Sequence, residues 1–123
     1  MTFVAGTLLS AADLNDALAS DSPTNFTTTT PAGSGWIRFL LGGALVEINW
    51  NASGTIAATT SQTLDYTIPA GYRPANLVAL AGAAGATGNR LAAGSAAPDG
   101  TLIAYNGHTA SAVVHLHGIY KPA

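Results

Sequence analysis

"SQTLDYTIPAGYRPAN", residues 61–76, is the stretch on which the fold class turns. Leu64, Tyr66 and Ile68 alternate with Thr63, Asp65 and Thr67, the period of two that marks a strand with one buried face. The alternation stops at Pro69, which has no N–H to give to a ladder. Gly71 then supplies a backbone conformation that other residues resist, and Pro74 drives Arg73 toward an extended shape. The segment predicts a strand ending in a stiff corner, with Tyr72 plugging one end of the domain and Arg73 a solvated or subunit-pairing charge.

The same period recurs on both sides. Trp36 to Leu41 reads as a strand, Gly42-Gly43 as a hairpin turn, and Ala44 to Asn51 as the return strand, with Val46, Ile48 and Trp50 alternating against Leu45, Glu47 and Asn49. Leu77 to Ala83, Arg90 to Gly94, Thr101 to Tyr105 and Ala112 to Tyr120 continue the series, with Pro98-Asp99-Gly100 and Asn106-Gly107 as turns and Gly82 to Gly88 as a mobile loop. Short strands without intervening helices predict an all-β domain, an antiparallel β-sandwich or jelly roll with a short N-terminal helical arm. Trp36 and Trp50 are both read as core, the common fate of strand aromatics.

Leu9 to Leu18 is the one helical stretch. Ser10 is a good N-cap, Leu9 and Leu14 have the spacing of a hydrophobic staple, and Leu14, Ala17 and Leu18 form a narrow apolar stripe. The mixture of Pro23, Thr27 to Thr30, Pro31, Gly33 and Gly35 that follows favours an extended connector. The expected organisation is an attachment arm at 1–22, a linker at 23–35 and a β-sandwich head domain at 36–123.

Charged residues are 8% of the 123-residue chain, against roughly a quarter in an ordinary soluble protein. The four cations, Arg38, Arg73, Arg90 and Lys121, are scattered, which argues against a nucleic-acid partner. The longest apolar run, Trp36 to Val46, is broken by Arg38 and the glycine pair and is too short to span a bilayer, so no membrane insertion is expected. Without cysteine there is no disulfide, thiolate metal site or thiol nucleophile. The abundance of Ala, Gly and Thr leaves few large groups for a core, so area buried between subunits is the natural supplement and an oligomer is expected.

Catalytic signatures are sparse. Glu47 and Asp65 fall on separate strands, Asp99 belongs to a turn, and no nucleophile elbow or phosphate loop accompanies them, so no enzyme is expected. His115 and His117 share one face of a strand, so three copies around a trimer axis would present six imidazoles, enough for an octahedral transition metal; an interfacial or exposed pair is the plainer reading. Tyr105, Asn106 and His108, around an Asn-Gly turn, form the expected exposed contact set for a receptor.

Ile68-Pro69-Ala70-Gly71-Tyr72-Arg73-Pro74, followed by the strand Leu77 to Ala83, the Asp99-Gly100-Thr101 turn and the final strand Val113 to Tyr120, resembles tail-fibre and receptor-binding head domains of bacteriophages and small minor tail proteins of actinobacteriophages. Ala5-Gly6-Thr7-Leu8-Leu9-Ser10-Ala11-Ala12-Asp13-Leu14-Asn15 likewise resembles the attachment segment that opens many phage tail proteins. The resemblance implies a virion tail protein made in the host cytoplasm, a homotrimer that docks on other tail proteins through Leu9, Leu14 and Leu18 and contacts host cell-surface polysaccharide without catalysis. His115-Leu116-His117 also resembles the His-x-His metal sites of some phage spike and fibre tips. A purely structural tail, baseplate or decoration subunit is the alternative, and a lectin or hydrolase module unrelated to phage a third.

Overall fold

The computed structural model describes residues 21–85 and 90–123, together with position 11. The described residues form eight strands: β1 (Thr24–Thr29), β2 (Ala32–Leu40), β3 (Leu45–Ala52), β4 (Thr60–Thr67), β5 (Val78–Ala84), β6 (Arg90–Ala96), β7 (Thr101–Asn106) and β8 (Val114–Tyr120). All pair antiparallel in one sheet of order β1-β2-β3-β8-β5-β6-β7-β4, which rolls into a nearly closed barrel. The all-β class is as the sequence predicts. In place of two stacked sheets, two four-stranded halves are joined into one by the β8–β5 ladder, where Ala81 pairs with His117 and Gly82 with Leu116.

The predicted linker at 23–35 is overturned. Its threonines, which read as connector, occupy β1 and β2 instead, with Phe26 and Thr28 turned inward and Asn25, Thr27 and Thr29 outward. Thr28 is tolerated inside because its hydroxyl donates to Pro31 O at 2.7 Å and accepts the Trp50 indole N–H at 3.1 Å. The Gly82 to Gly88 loop is also shorter than expected, since Gly82 to Ala84 continue β5. The expected attachment residues Leu9, Leu14 and Leu18 lie outside the described residues.

Strand alternation builds the core. Val46, Ile48 and Trp50 of β3, Ile37 of β2 and Val114, Leu116 and Tyr120 of β8 fill one half. Facing them, β5, β6 and β7 contribute mostly small inward residues, Gly82, Ala84, Ala92, Gly94, Ala96 and Ala104, with Leu80 and Leu102. Large side chains against small ones let the barrel close at interior packing density. Gly35 leaves no room for a side chain: an added methyl carbon would run into Asn49 O and lie 2.6 Å from the Phe26 ring.

The remaining gap, between edge strands β1 and β4, is spanned by side chains. The Asp65 carboxylate accepts the backbone N–H of Thr29 at 2.9 Å and of Thr30 at 3.2 Å, and the Thr29 hydroxyl donates to it as well. Beside it Phe26 stacks on Tyr66, with ring centroids 3.8 Å apart.

The corner that opened the sequence reading braces one end of the barrel. Tyr72 N–H donates to Pro69 O at 3.1 Å across a turn whose third residue, Gly71, has φ 93°. Tyr72 stacks on Phe39 at 4.2 Å, and its carbonyl accepts the Tyr120 hydroxyl, whose pKa burial pushes up. Arg73 is half-buried. Its Nε donates to Ile68 O at 2.7 Å, tying the corner back to the end of β4.

Candidate functional site

Because inward positions on β2, β3 and β8 are fixed by Ile37, Ile48 and Leu116, their neighbours must face out. Trp36 and Arg38 therefore leave the barrel wall on β2, Glu47, Asn49 and Asn51 on β3, and His115 and His117 on β8. The ladders align them in rows. Asn25, Trp36, Asn49, His117 and Ala81 form one row across five strands. Thr27, Ser34, Asn51, His115 and Ala83 form the next.

Hydrogen bonds stiffen this face. Arg38 pairs with Glu47 Oε1 at 2.8 Å and lies 5.3 Å from the Trp36 ring centroid, within cation–π range. Glu47 Oε2 meets His117 Nε2 at 2.8 Å, and His115 Nδ1 meets Asn51 Oδ1 at 2.9 Å. The bond from His117, with further help from Arg38, holds the Glu47 carboxyl below its ordinary range against the opposing effect of burial. The charges are thus paired at one margin, and the rest of the face is amide, hydroxyl, imidazole and indole.

Two shallow hollows flank the β3 ridge. One, of about 330 Å³, lies over β1 and β2 and is lined by Asn25, Thr27, Ser34, Trp36, Asn49 and Asn51. The other, of about 270 Å³, lies over β8 and β5 between Asn49, His115 and His117, with Ala81 and Ala83 as its floor. Asn49 lines both. A larger open hollow of about 490 Å³ at the barrel end, between Pro74 and Pro122, has only Asn76 and Lys121 as polar side chains.

The expected receptor set is not assembled. Asn106 is fully buried: its amide donates to Ile56 O at 2.9 Å and Ala110 O at 3.0 Å, and its oxygen accepts His108 N–H at 2.9 Å. It fastens two loops to the end of β7 and is closed to a ligand. Tyr105 points outward beside Ala93 and Ser61, on a different part of the wall from the hollows, and His108 is half-buried in the loop beyond.

His115 and His117 do share the outer face of β8, but each ring already engages a β3 neighbour. Among the described residues no three His, Cys, Asp or Glu side chains gather as a metal site. Of the carboxylates, Glu47 is ion-paired, Asp65 closes the β1–β4 gap, and Asp99 accepts Thr101 N–H at 2.9 Å within its own turn.

Reading Trp36 as core is likewise corrected, since only Trp50 is enclosed. The sequence held the signal. In Trp36-Ile37-Arg38-Phe39, Arg38 marks the outward parity, and Trp36 shares it.

No family model matches this chain, and no curated protein matches it. The resemblance to phage tail proteins stands on the quoted motifs. Among the described residues no helix is long and apolar enough to cross a membrane, which says nothing about crossing by strands.

Proposed function

We propose that the chain is a phage virion tail protein, a homotrimeric adhesin without catalytic activity, whose outer β2–β3–β8 face binds neutral host cell-surface polysaccharide. The observation that carries the reading is the half-exposed Trp36 set among Asn25, Ser34, Asn49 and Asn51. An aromatic face offers a platform for the C–H side of a sugar ring, and uncharged amides and hydroxyls supply both donors and acceptors for its hydroxyls. The Pro-x-Gly-Tyr-Arg-Pro corner supports the tail assignment through its resemblance. The N-terminal arm supplies attachment to other tail proteins.

The purified chain should bind cells of the host and compete with virion adsorption, and Trp36→Ala should remove both effects while leaving the fold intact. A Trp36→Ala protein that competes as well as the wild type overturns the adhesin reading at this face.

A structural subunit is the second reading, and one feature favours it. The outer surface of β5 and β6 carries Ala79, Ala81, Ala93 and Leu91, preceded by Leu77, with Leu77 68% and Leu91 71% exposed. Apolar surface of this kind, broken by Ser95 opposite Ala79, suits contact with a neighbouring protein. Under the structural reading, Leu77→Lys with Leu91→Lys blocks incorporation into particles while Trp36→Ala leaves infectivity unchanged.

A further inference from the structure

We infer that the outer face binds an extended neutral oligosaccharide running across the strands, with the first and third of three linked rings seated in the two hollows and the middle ring lying over Asn49. The inference rests on the glycan reading above and goes beyond it in ligand length, direction and the role of each hollow.

Three observations carry it. The hollows, at about 330 and 270 Å³, are each near or below the lower end of ligand-pocket sizes, roughly 300 Å³, so each suits one ring-sized group rather than a folded oligomer. They are also collinear, because Trp36, Asn49, His117 and Ala81 are register partners on successive strands. Strands lie roughly 4.8 Å apart, so the Trp36 strand and the gap between β8 and β5 are separated by about 12 Å, about twice the spacing of consecutive rings in an extended glycan, a span suited to the first and third of three linked rings. Finally, the half-buried Asn49 amide at the junction has no hydrogen-bond partner among the described residues, and an amide can serve a donor and an acceptor of a bridging sugar together.

The hollows differ in chemistry. At the first, Trp36 is the stacking platform and Arg38 steadies its ring. At the second nothing rises from the floor above the methyls of Ala81 and Ala83, so a sugar ring can lie flat on the sheet with the two imidazoles at its edge. His115 and His117 are held by Asn51 and Glu47 before any ligand arrives, which lowers the ordering cost of binding.

The test is calorimetric titration of the intact chain with gluco-, manno- and galacto-oligosaccharides of one to four rings. Affinity should rise by roughly tenfold or more from two rings to three, as the second hollow fills, and change little thereafter. Ala81→Leu, whose added bulk projects into solvent over the second hollow, should bring the trisaccharide down to the affinity of the disaccharide without weakening the disaccharide. Trp36→Ala should weaken both. Ala83→Leu repeats the blocking test from the neighbouring row, and thermal melts check that each variant is folded. Binding without a step between two and three ring lengths, or a step untouched by Ala81→Leu and Ala83→Leu, overturns the three-ring arrangement and leaves the glycan reading standing. No binding of any of these sugars to the wild type overturns both.

Discussion

The two halves of the barrel are built from the same alternation and use it in opposite ways. The half made of β1, β2, β3 and β8 puts its bulk inside, in Phe26, Ile37, Ile48, Trp50 and Leu116, and its hydrogen-bonding groups outside. The half made of β5, β6, β7 and β4 has mostly Ala and Gly inside along β5 and β6, and outside a mixture of Ala, Leu91, Ser95, Tyr105 and the polar residues of β4. A chain poor in large side chains closes a core by concentrating them on one wall and thinning the other to receive them. The thick wall also carries the candidate site.

The contrast breaks most severely at Trp50. It is completely enclosed, and its indole N–H is bonded to Thr28. Trp50→Ala leaves a cavity that the facing Gly and Ala residues cannot fill, and about 3–5 kcal/mol of stability should be lost. Urea denaturation monitored by circular dichroism measures it, and a loss below about 1 kcal/mol would show that the thin wall can collapse inward. Trp36→Ala on the outside of the same half should shift the midpoint far less, since it opens no cavity.

The thin wall is tested from the other side, by adding bulk. At Gly94 a Cβ would stand 2.7 Å from Leu116 Cδ1 and 3.0 Å from Ile103 O. Gly94→Val should cost about 1–3 kcal/mol by overpacking, read from the same denaturation curves. A neutral or stabilising result would mean that the small residues are not there to make room for the opposite half.

The two halves were not equally legible in the sequence. Period-two runs such as Val46-Glu47-Ile48-Asn49-Trp50 and Leu64-Asp65-Tyr66 announced their strands, because large apolar and polar residues alternate there. β1 was hidden: in Thr27-Thr28-Thr29-Thr30 the inward and outward residues have the same side chain, so parity leaves no trace. Asn106 was misread for a related reason. An Asn-Gly pair reads as an exposed turn, whereas this amide points inward to hold loops 50 and 4 residues away in sequence. Such long-range bonds have no local pattern. The candidate site was partly visible, in the shared face of His115 and His117, but its assembly with Trp36 and Asn49 depends on strand order, which local alternation does not encode.

The smallest expected effect lies where the halves meet without a ladder. Asp65 is exposed, yet hydrogen bonds from the Thr29 hydroxyl and from the Thr29 and Thr30 backbone N–H groups bring its pKa down from 3.8 to about 2. These bonds favour the charged form, so the folded-state pKa sits below the unfolded value. The stabilisation is therefore complete above about pH 4 and is lost as the pH falls through about 2. Glu47 and Asp99 are also depressed, Asp99 chiefly by the Thr101 backbone N–H, so acid destabilisation of the wild type is a sum over several groups. The difference between wild type and Asp65→Asn isolates the gap. It should be constant above pH 4 and shrink between pH 4 and 2, and the Thr29 and Thr30 amides should exchange faster with solvent in the variant at neutral pH. Because the carboxylate is solvent-exposed and screened, the stability difference should be the least of the three. Unchanged exchange at both amides would show that the Phe26–Tyr66 stack alone holds β1 against β4. The β1–β4 side would then be closed by apolar contact, opposite the hydrogen-bonded β8–β5 ladder, and the polar bridge would be an ornament of the surface.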